Sequence, residues 1–202
     1  LMIDGLVTTV NLPVKNLQEL QALAASRPTG LNFGTLGEGS SVDFFRQLLA
    51  EQWKANLVGI PYKGGANLTA AGLMSGEIDM SWGSLGSWIG GINGGKIRLH
   101  AVASSKRLAK FPDIPTFGEA KISGIGRVFY GMAMQSGASD AIVTRLNSET
   151  VKALGDPGLR KVIEAGGNEP ATGERPEQFG AFIRRENDKW REIVRLSGAK
   201  AD

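Results

Sequence analysis

Short β-like runs alternate with helical stripes along the first half of the chain. Val7-Thr8-Thr9-Val10 reads as a β segment. Asn16 followed by Glu19 matches a helix N-cap, and Leu17, Leu20 and Leu23 continue at helical spacing. Arg27-Pro28-Thr29-Gly30 ends that helix, and a strand begins at Leu31-Asn32-Phe33-Gly34. Phe44, Phe45, Leu48, Leu49 and Trp53 form a broad apolar helical stripe. Leu57-Val58-Gly59-Ile60 is the next strand, and a small-residue helix runs through Leu68, Ala71 and Leu73 to Gly76. Glu77-Ile78-Asp79-Met80-Ser81-Trp82 alternates polar and apolar, as a half-buried strand does. A short helix ending at Gly94-Gly95 and a strand around Leu99 follow. This alternation predicts βαβ units and a mainly parallel sheet.

Beyond it, Val128-Phe129-Tyr130-Gly131-Met132-Ala133-Met134 reads as a further apolar strand and a crossover. The chain then turns helical, with the boundary near Gln135-Ser136-Gly137. Asp140 is read as the cap of a helix carrying Ile142, Val143 and Leu146. Asp156-Pro157 opens another. The last, from about Pro176, carries Phe179, Phe182, Ile183, Trp190, Ile193 and Val194, with Gly198 as its C-terminal cap.

Composition narrows the chemistry. The 202 residues are 42% hydrophobic and 21% charged, within the globular range. The net charge of +3 is interspersed rather than blocked, which argues against nucleic-acid binding. With no cysteine and a single histidine, His100, thiolate chemistry and multi-histidine metal sites are excluded. No apolar run approaches the ~20 residues of a membrane span.

The candidate chemistry lies at strand-to-helix turns. Gly34-Thr35-Leu36-Gly37-Glu38-Gly39-Ser40-Ser41 combines glycines with hydroxyl donors at a helix start, which suits an anion. Its other reading is plain capping, with Ser40 and Asp43 in an S-x-x-acid pattern. Tyr62-Lys63-Gly64-Gly65 occupies the same sheet edge, and Lys63 suits a carboxylate or a solvated surface. Ser81-Trp82-Gly83-Ser84 is the third such turn, with Ser84 a ligand donor or a cap and Trp82 core or lobe interface. Asp79 and His100 read as structural, since neither has a catalytic partner nearby in sequence. The expected ligand set is Thr35, Gly39, Ser40, Ser41, Asp43, Tyr62, Lys63, Gly64, Gly65, Ser81, Gly83 and Ser84, with no metal and no cofactor.

The ordered set of these segments resembles the Bug receptors of tripartite tricarboxylate transporters. The segments are Leu31 to Gly34 with Gly37-x-Gly39-Ser40-Ser41, Pro61 to Gly65, Gly76 to Asp79 and Gly95 to Arg98. Phe111-Pro112-Asp113-Ile114-Pro115-Thr116-Phe117-Gly118-Glu119-Ala120, Ile142-Val143-x-Arg145-Leu146-Asn147, Pro176 to Phe179 and Lys189-Trp190 complete them. The resemblance implies a type II periplasmic binding protein fold of two α/β lobes, with no enzymatic activity. It implies a periplasmic receptor for a small carboxylate, such as a di- or tricarboxylate, an acidic amino acid or an aromatic acid, working with membrane components of a transporter.

On this resemblance residues 1–9 form a first crossover, 10–127 a complete α/β ligand-binding lobe, 128–135 the return crossover and 136–202 a helical segment belonging partly to the first lobe. The family's opening Pro- and Gly-rich segment has no counterpart, so the chain is expected to lack an N-terminal part and to expose an apolar face that favours self-association. The Phe111 to Ala120 run is expected to be a surface connection. Where Asp43 stands the family often has His; an acid there favours an amine or a metal-bound ligand. A sensor domain of a regulator would need a helix-turn-helix, which is not visible. A hydrolase using Ser40 or Ser84 would need a base that the sequence does not supply.

Overall fold

A computed structural model describes residues 2–123, 128–165 and 168–197. Five strands form one sheet: β1 (Asp4–Thr9), β2 (Leu31–Thr35), β3 (Leu57–Pro61), β4 (Met80–Ser84) and β5 (Ile97–Val102), in the order β3-β2-β4-β1-β5. β2 runs parallel to β3 and β4, whereas β1 is antiparallel to both its neighbours, β4 and β5. The sheet is therefore mixed rather than mainly parallel: four strands share one direction, and β1, next to the β5 edge, is reversed and makes half of the pairings antiparallel. Helices α1 (Leu17–Ser26), α2 (Ser41–Trp53), α3 (Ala66–Ser75) and α4 (Leu85–Asn93) connect the strands.

The helices cover both faces. Leu6, Phe33, Met80 and Trp82 pack with α1 and α2, while Ile3, Val7, Leu99 and Val102 pack with α3 and α4. Covering both faces changes the pattern expected for β4. The strand begins at Met80 rather than Glu77, and Met80, Ser81 and Trp82 are all buried because a central strand has no solvent side.

Local cap signals translate directly into structure. Asn16 accepts from the Glu19 amide, and the Glu19 carboxylate accepts from the Lys15 amide. The Asp156 carboxylate accepts from the Leu159 amide at the start of α6 (Pro157–Ala165). For α5 (Asp140–Leu154) the cap is Ser139, one residue earlier than Asp140, and its hydroxyl makes no cap bond. The expected cap at Gly198 of α7 (Pro176–Ser197) lies outside the described residues.

Two further expectations change. Residues 128–134 pair in no sheet; the backbone is irregular, with Tyr130, Met132 and Met134 exposed. Val128 and Phe129 anchor it: the Val128 carbonyl accepts from the Met2 amide, and Phe129 stands edge-on to Phe179 and Phe182 of α7. The segment from Phe111 to Ala120 is more than a surface connection. Thr116 pairs beside Val102, and Phe117 is buried with its ring 5.7 Å from that of Phe45. An apolar ring following a strand-like pairing is drawn under the sheet. Glu119 fastens the outer side by accepting from Arg107 and from the Thr116 amide.

Candidate functional site

The parallel sense of β2, β3 and β4 brings their C-terminal ends to one edge. Thr35 lies opposite Pro61, and Gly34 opposite Ser81. α2, α3 and α4 all start at that edge. Each helix start has amides without intrahelical partners and the positive end of its dipole. Ser40 caps α2, accepting from the Asp43 amide at 3.2 Å while its hydroxyl donates to the Gly37 carbonyl at 2.7 Å. Gly65 and Ser84 occupy the cap positions of α3 and α4 without any side-chain cap bond. Backbone carbonyls take part of their first turns instead: the Leu68 amide donates to the Gly65 carbonyl and the Leu85 amide to the Ile3 carbonyl, so the first-turn amides are only partly open to a ligand. Gly39 and Gly65 have φ of +73° and +91°, and a Cβ on either would meet nothing within 4 Å. They allow tight turns that open outwards rather than into the core.

The expected site residues divide by where their side chains go. Gly39, Ser40, Ser41, Lys63, Gly64, Gly65 and Ser84 stand in these turns or helix starts, with Lys63 and Gly64 exposed. Gly83 lies against the Trp88 ring, whose Nε1 donates to the Gly83 carbonyl. Thr35 is buried and its hydroxyl accepts from the Gly37 amide, shaping the first turn. Ser81 Oγ donates to the Gly34 carbonyl and ties β4 to β2. The Tyr62 ring lies over α3, where its hydroxyl fills the space beside Gly72. Asp43 is buried, with Oδ1 accepting from Arg46 Nε at 2.8 Å and Oδ2 from Gln47 Nε2 at 2.9 Å. Its charge is met on its own helix, leaving little of it for a ligand.

Asp79 and His100 are structural, as expected. The Asp79 carboxylate accepts from the Asn32 amide at 2.8 Å. His100 Nε2 bonds the Thr8 hydroxyl at 2.9 Å, while its buried Nδ1, facing the Asn16 backbone, has no well-formed hydrogen bond among the described residues. The register skips His100 between Leu99 and Ala101, so it is the extra residue of a bulge. Burial, aided by the Arg98 charge, pushes this imidazole down to about 4, so it is neutral at physiological pH.

Three polar residues at this edge escape a motif reading. Asn67 and Ser87 lie in the first turns of α3 and α4, past the loops where turn chemistry draws attention. Asp4 lies directly opposite Ser84 across the β1–β4 pairing. Cap spacing points to the first two; nothing local points to Asp4, which arrives only because β1 is reversed.

Comparison with known proteins adds to this geometry. The sequence profile described as tripartite tricarboxylate transporter family receptor matches residues 2–198. A UPF0065 protein from the gbd 5′ region of Cupriavidus necator is 29% identical over 198 residues, which cover 98% of this chain and 60% of that protein. The chain thus spans about 60% of the length of that curated relative. Among solved structures, a periplasmic transporter superposes with a TM-score of 0.87 at 25% identity, covering 100% of this chain and 67% of that one. R. palustris Rpa4515 with adipate superposes with a TM-score of 0.80 at 25% identity, covering 98% and 66%.

Proposed function

The chain belongs to the tripartite tricarboxylate transporter receptor family, and we propose that it is the ligand-holding part of a non-enzymatic periplasmic receptor for a small carboxylate. The observation that carries this reading is the convergence of three helix starts on one sheet edge, α3 and α4 without side-chain caps, and α2 and α3 reached through outward-opening glycine turns. Such an edge offers neutral N–H donors and dipoles, which hold an anion without a permanent counter-charge. Ser40, Ser41 and Ser84 add hydroxyls, and Lys63 adds an exposed cation at the rim. Thr35, Ser81 and Asp43 set the turns and the helix rather than touch the ligand. The adipate recorded with the R. palustris relative supports a carboxylic acid as the ligand class. The receptor would pass its ligand to membrane components of the transporter. No helix among the described residues is long and apolar enough to cross a membrane.

A thermal-shift series with adipate, succinate, malate and citrate tests the reading. A ligand at a hundredfold excess over its Kd stabilises by about 2.7 kcal/mol, which raises the melting temperature of a domain this size by roughly 5–10 °C. No shift with any of these acids at millimolar concentration would sink it.

The helical segment supports a second expectation. α5 and α6 have no buried residue, and Ile142, Leu146, Leu159 and Val162 are exposed on them. A second copy covering these residues would remove this apolar surface from water. Sedimentation velocity at tens of micromolar is expected to show dimers or larger species; a sharp monomer boundary contradicts self-association.

A further inference from the structure

Asp4 and Trp82 leave hydrogen-bonding capacity unmet on one face of the sheet, beside the candidate site. Asp4 opens β1 opposite Ser84, and Leu6 pairs with Trp82 two residues further in. Cross-strand partners, and residues two apart on a strand, share a face. Asp4, Ser84, Leu6 and Trp82 therefore line the α2 side of the sheet. Asp4 is only 4% exposed, and its carboxyl has no hydrogen bond or ion pair among the described residues. Burial pushes it up to about 6. Trp82 Nε1 is a buried donor without a partner among the described residues, and its ring stacks 4.6 Å from that of Phe45, in the second turn of α2. Trp82 thus lies between the second turn of α2 and Leu6 of β1, two residues in from Asp4.

Among the described residues of the elements beside it, no charge is paired with the buried carboxyl; on α7, which packs against α2, Glu186 pairs with Lys189. β4 and α4 contain no charged residue. On β5, Arg98 and His100 sit beside Thr8, at the other end of β1. On the loop after β5, Lys106, Lys110 and Asp113 are exposed, and Arg107 pairs with Glu119. On α2, Asp43 and Arg46 pair with each other. A buried carboxylate without a counter-charge is costly, and such groups concentrate at functional sites.

The geometry points to Asp4 as the specificity-determining residue of the site, accepting a hydrogen bond from a cationic amine of the ligand while Trp82 Nε1 donates to a ligand oxygen. The site then selects small amino-carboxylates over acids of equal length without the amine. Asp43 does not fill this role, because Arg46 and Gln47 already occupy its carboxylate. The inference rests on the carboxylate reading proposed above.

Matched pairs test it by calorimetric titration at pH 7.5: L-aspartate with succinate, and L-glutamate with glutarate. In the wild-type chain the amine-bearing member of at least one pair should bind about tenfold tighter, as a charge-assisted bond warrants. Asp4→Asn should erase the preference by weakening the amine-bearing member alone. Asp4→Ser should do the same, and far-UV circular dichroism checks that both variants fold. Equal or tighter binding of the plain acids by the wild type overturns the inference, as does a preference that survives both substitutions. If plain acids bind and amino acids do not, only this inference falls; if nothing binds, the carboxylate reading falls with it.

Discussion

Asp4→Asn is expected to stabilise the protein at neutral pH and make it acid-sensitive, while His100→Gln makes it alkali-sensitive over the same range. The Asp4 carboxyl is raised from 3.8 to about 6 by burial. Its folded-state advantage is complete below 3.8 and is lost as the pH rises through about 6. The His100 imidazole is lowered from 6.5 to about 4, chiefly by burial and then by Arg98. Its folded-state advantage is complete above 6.5 and is lost as the pH falls through about 4. Each shift corresponds to roughly 3 kcal/mol, and the two act in opposite directions between about pH 4 and 6.5. In the wild type they nearly cancel. Removing Asp4 leaves the histidine uncompensated, so the gain in melting temperature over wild type should be about 5–10 °C at pH 7 and vanish near pH 4. His100→Gln should match wild type at pH 7 and exceed it near pH 4 by a similar amount. The two groups sit at opposite ends of β1, some 13 Å apart at strand rise, so the double variant should combine the two effects additively. Differential scanning fluorimetry from pH 4 to 7.5 measures this, and parallel curves for wild type and Asp4→Asn would refute it.

This compensation was invisible in the sequence, and the reason is physical. Caps at Asn16, Ser40 and Asp156 could be read because a cap depends on residues three positions apart. The sheet edge could be read too, because each strand-to-helix turn carries its own glycines and hydroxyls. What Asp4 faces depends on β1 pairing with β4 across nearly eighty residues, and no local pattern encodes that register. The same limit explains residues 128–134. Their apolar alternation satisfies a strand pattern, but a strand needs a neighbouring strand, and this segment gets only a single backbone bond, from Met2 to Val128, and the packing of Phe129 on α7. Asp43 shows the same limit: its spacing from Ser40 reads as a cap, and what its carboxylate meets depends on Arg46, one turn on.

Phe45→Ala is expected to have the largest single effect on stability. Phe45 is buried on α2, with its ring 6.3 Å from Phe33 on β2, 4.6 Å from Trp82 on β4 and 5.7 Å from Phe117. One side chain thus joins a helix, two central strands and the segment that seals the β5 edge. Truncating a buried Phe costs about 3–5 kcal/mol, since the transfer term and the cavity add. Here the cavity would open between three other aromatic rings, which cannot collapse into it without breaking their own contacts. A fall of roughly 10–15 °C in melting temperature follows. Phe129→Ala provides the contrast. Its ring packs against Phe179 and Phe182 of α7, at 5.8 and 4.9 Å, and is half-buried. Its loss should release residues near 129 with a much smaller change in melting temperature, visible as faster amide exchange confined to that segment and α7. Because Phe45 also sets the angle at which α2 meets Trp82, a carboxylate should bind Phe45→Ala more weakly even where the variant remains folded. Equal melting temperatures for the two variants would show that the aromatic column does not hold the sheet to α2.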